Sequence, residues 1–178
     1  MEKDFKQILI SEEEIKAMVK RLGEQITKDY EGKELVVVGM LKGGMPFMMD
    51  LIKEIKLPLI MDFMQISSFH GGRVATNLVF KKDIEINVCD KHVIIVDDIV
   101  DSARTITEVL KLFKTRKVAS IEVACLLDKP SGRMVEFTPK YVGGLVPDEF
   151  VVGYGLDYKD YYRNVPYIAV LKNEIFED

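Results

Sequence analysis

Cysteine is scarce in this chain: there are two, Cys89 and Cys125, with no Cys-x-x-Cys spacing and no histidine pattern beside them. A disulfide framework and a structural zinc site are therefore excluded as organising devices, and both thiols are expected to stay reduced, Cys125 within a core strand. Long apolar runs are missing as well, since no window approaches the roughly 18 uncharged apolar residues of a membrane span. The first residues, MEKDFKQILI, lack the apolar stretch of a signal peptide, so a cytoplasmic protein with no membrane partner is expected. Basic charge is not in excess either. With 25 lysines and arginines against 29 acidic residues and a net charge of −4, the molecule as a whole has no reason to hold a nucleic-acid backbone, and any polyanion must be met locally. Repeats, low-complexity tracts and linkers are also absent.

What is present is 178 residues, 48% of them hydrophobic, enough to bury one core and too few for two. A single domain spanning 1–178 is expected. Ser11 followed by Glu14 has the spacing of a capping box, and Ile15, Met18, Val19, Leu22 and Ile26 recur at helical intervals behind it. Leu35 to Val38 is a β-branched run too short for a helix; a glycine-rich loop follows, and Phe47, Leu51, Ile52 and Ile55 then mark a second helix. Leu59 to Ile66 reads as a strand, Ser67 to Gly72 as a polar loop, and Val74 to Phe80 as a weaker strand that pairs back as a ribbon. Val93 to Val96 is continuously apolar, as a strand covered on both faces must be, and Ile106, Val109, Leu110 and Phe113 supply the next helix. Val118 to Leu127 repeats the strand signal. The alternation predicts an α/β fold, a mostly parallel sheet with helices on both faces. After Pro139 the chain becomes strand-rich and glycine-punctuated, through Tyr141–Leu145, Phe150–Tyr154 and Ile168–Leu171, which predicts a small flap over one end of the sheet.

In open parallel sheets, ligands sit beyond the carboxyl ends of strands. The most informative such stretch runs from Val93 through Asp97, Asp98, Ile99, Val100, Asp101, Ser102, Ala103 and Arg104 to Thr105: a buried strand, paired carboxylates, small hydroxyl residues and a helix start. Backbone N–H groups at the helix end and the hydroxyls of Ser102 and Thr105 can hold a phosphate, while the carboxylates can bind sugar hydroxyls or a hydrated cation. A lone Asp-Asp pair would read as an acidic loop with a helix cap; the thirteen-residue pattern outweighs that reading.

This stretch resembles the phosphoribosyl pyrophosphate signature of type I phosphoribosyltransferases, and motifs along nearly the whole chain resemble the bacterial hypoxanthine-guanine members of that family in order and spacing. The resemblance implies a type I phosphoribosyltransferase-like fold, with a core over about 10–140 and a base-binding hood built from about 140–178 together with the N-terminal segment. It implies transfer of the 5-phosphoribosyl group to N9 of hypoxanthine or guanine in purine salvage, magnesium as cofactor, small-molecule substrates and no nucleic acid, and a homodimer or homotetramer. By the same likeness, Asp97, Asp98, Asp101, Ser102, Ala103, Arg104 and Thr105 would bind the phosphoribosyl group. Asp101 would exchange a proton with N7 of the base. Leu41, Lys42 and Gly43 would form a pyrophosphate loop, the Leu41–Lys42 peptide commonly being cis in the family. Ser67, Ser68 and Phe69 would belong to a lid that shields the reaction from water, and Arg163 would reach the pyrophosphate. Lys129 would donate to the 6-oxo group of the purine, Phe150 would stack on it, the Val151 backbone would pair with its edge, and Asp157, with Asp97 and Asp98, would hold magnesium.

Two positions depart from the family pattern. Phe69 stands where tyrosine is usual, so the lid aromatic excludes water without donating a hydrogen bond. Ala103 stands where glycine is usual; its methyl either points away from the phosphate at negative φ or is held at positive φ under strain, in which case glycine there would tighten nucleotide binding. Three rival readings stand beside the main one: transfer to another base, which Lys129 and the Phe150–Asp157 segment disfavour; an RNA-binding regulator on the same fold, which the acidic balance disfavours; and an inactive nucleotide-binding scaffold.

Overall fold

The computed structural model describes residues 1–68 and 78–176, with Ser67, Ser68 and Leu78 described by their backbone alone. The strands are β1 (Phe5–Ile10), β2 (Leu35–Met40), β3 (Leu59–Ser68), β4 (Leu78–Lys82), β5 (His92–Val100), β6 (Ser120–Asp128), β7 (Tyr141–Leu145), β8 (Val151–Val152) and β9 (Ile168–Leu171). The helices are α1 (Glu12–Asp29), α2 (Met45–Glu54), α3 (Arg104–Thr115) and the short α4 (Asn173–Phe176). Six strands form the main sheet in the order β4-β3-β2-β5-β6-β7, all parallel except β4, which runs antiparallel to β3.

The sheet is central because its middle strands are apolar on both faces over Leu35–Val38 and Val93–Val96. Along β2, Leu35 and Val37 point to one side and join Leu22 and Ile26 of α1 and Phe47 and Leu51 of α2. Val36 and Val38 point to the other and join Ile106, Val109 and Phe113 of α3. β5 divides the same way, with Ile94 and Val96 on the first side and Val93 and Ile95 on the second. Each such fully buried side chain contributes about 1.5–3 kcal/mol, which makes the sheet a frame stiff enough to hold irregular loops at its rim. α1 begins at the predicted capping box: Ser11 Oγ accepts from the Glu14 N–H at 3.2 Å, and the Glu14 carboxylate accepts from the Ser11 N–H at 2.7 Å. Among the described residues no helix is long and apolar enough to cross a membrane.

A second sheet of three antiparallel strands, in the order β1-β9-β8, lies at the carboxyl end of the main one. Tyr141–Leu145, predicted as part of the flap, instead joins the main sheet as β7, parallel to β6; the Tyr141 ring is fully buried and its hydroxyl donates to Asp29 of α1 at 2.7 Å. The strand predicted over Phe150–Tyr154 shrinks to two residues because Gly153 (φ +103) and Tyr154 (φ 49) leave the extended region. Ser67 and Ser68 are not loop residues: they continue β3 and pair with Val79 and Leu78. Phe69 and the rest of the predicted lid to Gly72 lie outside the described residues.

Candidate active site

The connections from β2 lead to β3 on one side of the sheet, while β5 leads to β6 on the other, so a crevice opens between the carboxyl ends of β2 and β5. A cavity of about 280 Å³ occupies it. Leu41, Lys42 and Gly43 line it from the turn after β2; Asp97, Asp98, Asp101, Ser102, Ala103 and Thr105 line it from β5 and the loop beyond; Arg163 reaches it from the C-terminal region. The chain thus brings together three separate sequence motifs. Arg104 is not among the lining residues and its side chain is exposed.

Asp97 and Asp98 were expected in a strand-to-helix loop, but β5 runs on through Val100, paired with Cys125–Asp128 of β6. That extension carries the two carboxyls into the crevice. Burial, followed by the neighbouring Asp98 charge, holds the Asp97 carboxyl well above the ordinary aspartate range. Burial raises Asp98 too, restrained by the Ile99 N–H, which donates to it at 2.8 Å, and by the Arg163 charge. The pair is therefore short of positive charge. Asp98 also explains the glycine at 43: a side chain there would collide with the Asp98 carboxylate.

The turn after β2 contains a cis peptide between Leu41 and Lys42. The Lys42 ammonium lies 2.9 Å from Asp160 Oδ1. Arg163 Nη2 lies 3.0 Å from that same oxygen and 2.8 Å from Asp157 Oδ1, while Nη1 donates to the Gly155 carbonyl at 2.7 Å. Arg163 Nε is buried without a hydrogen-bond partner among the described residues, an unused donor in a side chain that lines the cavity. Asp160 therefore bridges the two cations; the Lys42 hydrogen bond, then that of Arg163, holds its carboxyl below the usual range. Sequence reasoning missed Asp160. Its signal was the Asp-x-x-Arg spacing to Arg163.

The loop from Asp101 to Ala103 turns into α3 through Ala103, which adopts the left-handed conformation at φ 62, ψ 4. Ala103 is 5% exposed and belongs to the buried cluster with Met40, Val100 and Ile106. Ala103 itself caps nothing; the Arg104 N–H donates to Ser102 Oγ at 3.4 Å, and the N–H groups of Thr105 and Ile106 in the first turn face the anion-binding end of the helix.

The residues expected to bind a base flank the cavity rather than line it. The Lys129 N–H donates to the Val100 carbonyl at 3.0 Å, which fixes the end of β6 beside the loop after β5. The Lys129 side chain is 15% exposed, its ammonium 3.0 Å from Asp148 Oδ1 and 3.3 Å from the Glu149 carbonyl. Phe150, one residue on, stacks on Phe176 with ring centroids 4.7 Å apart and meets Tyr158 edge-on. Val151 lies in β8, which among the described residues is an edge strand paired with β9 alone, so its outer edge offers backbone groups to a planar ligand. Asp157 accepts from the Asp160 N–H at 2.8 Å besides pairing with Arg163.

Among the described residues no group of three or more His, Cys, Asp or Glu side chains is placed to hold a metal ion. Magnesium on a polyphosphate arrives with its own oxygen ligands and takes one or two carboxylates from the protein. The undercompensated Asp97–Asp98 pair fits such an ion.

The chain matches the family of the phosphoribosyl transferase domain over residues 6–159. It is 49% identical over 179 aligned positions to the hypoxanthine-guanine phosphoribosyltransferase of Staphylococcus aureus strain Mu50, covering 100% of each. Its identity to the protein of the same name from Streptococcus pneumoniae strain R6 is 47%, covering 100% of this chain and 99% of the relative. Among solved structures, it resembles a hypoxanthine phosphoribosyltransferase from Staphylococcus aureus with a TM-score of 0.96 at 48% identity, over 100% of this chain and 97% of that one.

Proposed function

Since the chain belongs to the phosphoribosyltransferase family, we propose that this site transfers the 5-phosphoribosyl group of phosphoribosyl pyrophosphate to N9 of hypoxanthine or guanine, giving IMP or GMP and pyrophosphate in purine salvage. The observation that carries the reading is the convergence of the Leu41–Gly43 turn, the Asp97–Thr105 stretch and Arg163 on one cavity, with Lys129 and Phe150 at its flank.

The 5-phosphate sits on the N–H groups of the Asp101–Thr105 loop and the start of α3, with the Ser102 and Thr105 hydroxyls as further donors. Ribose hydroxyls meet Asp97 and Asp98. The raised Asp97 carboxyl keeps its proton more readily than an ordinary aspartate and can donate as well as accept. The pyrophosphate takes the place of the Asp160 carboxylate between Lys42 and Arg163, and the planar arginine head binds it through several donors. The purine stacks at Phe150, its edge on the β8 backbone. Its 6-oxo group accepts from Lys129, whose ammonium leaves Asp148 to do so. An ammonium is donor-only, so it selects a carbonyl over the amino group of adenine. Asp101, exposed beside the cavity, takes up the proton of N7 as the bond at N9 forms. Magnesium bound with the substrate would take one or two carboxylates from among Asp97, Asp98 and Asp157 and would supply positive charge to the departing pyrophosphate. Most of the acceleration comes from holding base and ribose in line and from donors already aimed at the leaving group. The family likeness also supports a homodimer or homotetramer acting in the cytoplasm on small molecules alone.

A spectrophotometric screen of hypoxanthine, guanine, xanthine, adenine and orotate with phosphoribosyl pyrophosphate and magnesium tests the reading. Turnover of hypoxanthine and guanine, with none of adenine or orotate, is expected. Turnover confined to adenine or orotate, or no turnover at all, overturns it.

A further inference from the structure

Gly132 and Arg133 belong to none of the motifs above, yet they touch the centre of the site from behind. Arg133 is largely buried and uses its whole head: Nη1 donates to the Val100 carbonyl at 2.7 Å and the Asp101 carbonyl at 2.6 Å, Nε donates to the Phe137 carbonyl at 3.0 Å, and Nη2 pairs with Asp128. The Met134 and Val135 N–H groups both donate to the Ser102 carbonyl, at 3.1 and 3.3 Å. The carbonyls of Val100, Asp101 and Ser102 are thus all held by the segment that follows β6. With its carbonyls occupied, what this loop has left to offer a ligand is N–H, the donor an anion needs. Gly132 makes the second contact. The Asp101 carboxylate rests where the side chain of residue 132 would be, and the atoms a Cβ there would meet first all belong to Asp101.

We infer that Gly132 and Arg133 are positioning residues for the transfer reaction, Arg133 by fixing the backbone of the phosphate loop and Gly132 by leaving the space in which the Asp101 carboxylate stands. Neither reaches a substrate in this arrangement; both act through Asp101 and its neighbours. The inference rests on the reading of Asp101 as the group that takes the N7 proton.

The geometry supplies an unusually clean perturbation. Gly132 is not at positive φ, and the atoms nearest to an added methyl are those at the end of the flexible Asp101 side chain. Gly132→Ala should therefore displace the carboxylate and leave the fold intact. Arg133→Gln leaves Asp128, a buried acid, without its partner and should also lower stability.

Steady-state kinetics on the full chain with hypoxanthine, phosphoribosyl pyrophosphate and magnesium, alongside thermal melts, test this. Gly132→Ala should lower kcat by roughly ten- to a hundredfold, the scale of an ångström-sized misplacement, with both KM values within about threefold of the parent and the melt unchanged. Arg133→Gln should lower kcat similarly, and Arg133→Lys, which can still pair with Asp128 and reach one carbonyl, should recover part of it. In the Asp101→Asn background, Gly132→Ala should cost less than about threefold more, since residues acting through one group are not additive. Full kcat in Gly132→Ala, or the same fold-loss in the Asp101→Asn background, overturns the inference alone. Full turnover by Asp101→Asn overturns the proton reading first and this inference with it.

Discussion

Replacing Ala103 by glycine should change almost nothing, and the structure says why. An alanine held at φ 62 costs roughly 1–2 kcal/mol relative to its preferred conformation, and glycine would release most of that. Two losses oppose the gain. The Ala103 methyl is buried beside Met40, Val100 and Ile106, and removing it forfeits about 0.8 kcal/mol; glycine also adds about 0.4–1 kcal/mol of freedom to the unfolded chain. The balance lies within about 1 kcal/mol of zero, a melting shift of under roughly 4 °C for a chain of this size. Binding should be equally unmoved. An Ala103 that holds this left-handed conformation in the free loop as in the bound one carries the same strain in both, and that strain cancels in the dissociation constant. The tenfold tightening that the sequence suggested for a strained bound loop therefore reduces to less than about threefold. Ala103→Val is the contrasting case. A β-branched residue at positive φ is an outlier, and overfilling this buried position adds about 1–3 kcal/mol, so its melt should fall by several degrees. Differential scanning calorimetry of both variants and titration calorimetry with IMP measure these outcomes. Tenfold tighter binding by the glycine form would mean that Ala103 turns left-handed only around the ligand, and a valine form as stable as the parent would refute both the φ and the burial.

Lys129→Ala should cut kcat/KM for hypoxanthine and guanine by roughly ten- to a thousandfold, the loss of a charged hydrogen bond with its partner left unpaired; full efficiency with both bases would remove Lys129 from the site. Asp160→Asn should tighten pyrophosphate as a product inhibitor by roughly two- to fivefold, a small effect because Asp160 is 66% exposed and its pairs are screened; weaker inhibition would show that Asp160 assists binding rather than competing with it. Asp97→Asn should stabilise the unliganded protein in chelator, and more so at pH 8 than at pH 4. The folded carboxyl is raised, so it binds its proton more tightly than the unfolded chain does, and stability is lost as pH climbs from the ordinary aspartate value through the raised one. Each kcal/mol of relief would appear as roughly 2–4 °C in the melt, and an Asn form that melts below the parent at pH 8 would refute the raised value.

What could be read from the sequence was what depends on neighbours along the chain. The Ser11–Glu14 box and the apolar run of β5 have local signatures, and the structure carries both as expected. Of the three motifs that meet at the cavity, Asp97–Thr105 was legible from its own residues, because phosphate loops need small residues, hydroxyls and carboxylates at fixed offsets; the Leu41–Gly43 turn and Arg163 were expected from the family resemblance alone. Strand ends were harder. β5 extends through Asp97 and Asp98, and β3 through Ser67 and Ser68, because a partner strand continues beside them, and polar residues do not advertise that. Tyr141–Leu145 was assigned to the wrong sheet because its own pattern is silent on which edge it will join; the Tyr141 hydroxyl on Asp29 decides it from far away in sequence. Asp160 went unnoticed for a sharper reason. Lys159, Asp160 and Tyr162 all have positive φ, and that unusual run of left-handed turns folds the segment back so that Asp160 stands between Lys42 and Arg163.

The three-stranded sheet has a consequence for how the molecule comes into being. Its middle strand is β9, and among the described residues both β1 and β8 pair with no other strand. The Asp4 carbonyl accepts from the Lys172 N–H, the Asp4 carboxylate from the Tyr162 hydroxyl, and Lys6 pairs with Glu149, so the start of the chain is fastened wholly to its later parts. The six-stranded sheet can condense from strands that all lie between β1 and β9 along the chain, whereas β1 must wait for Ile168–Leu171 before it has a strand partner. Closing so long a loop is slow, because its entropy is spent before any contact returns it. The loop proposed to hold the 5-phosphate and ribose thus belongs to the sheet that needs no pairing with β9, whereas the β8 edge proposed for the base depends on it.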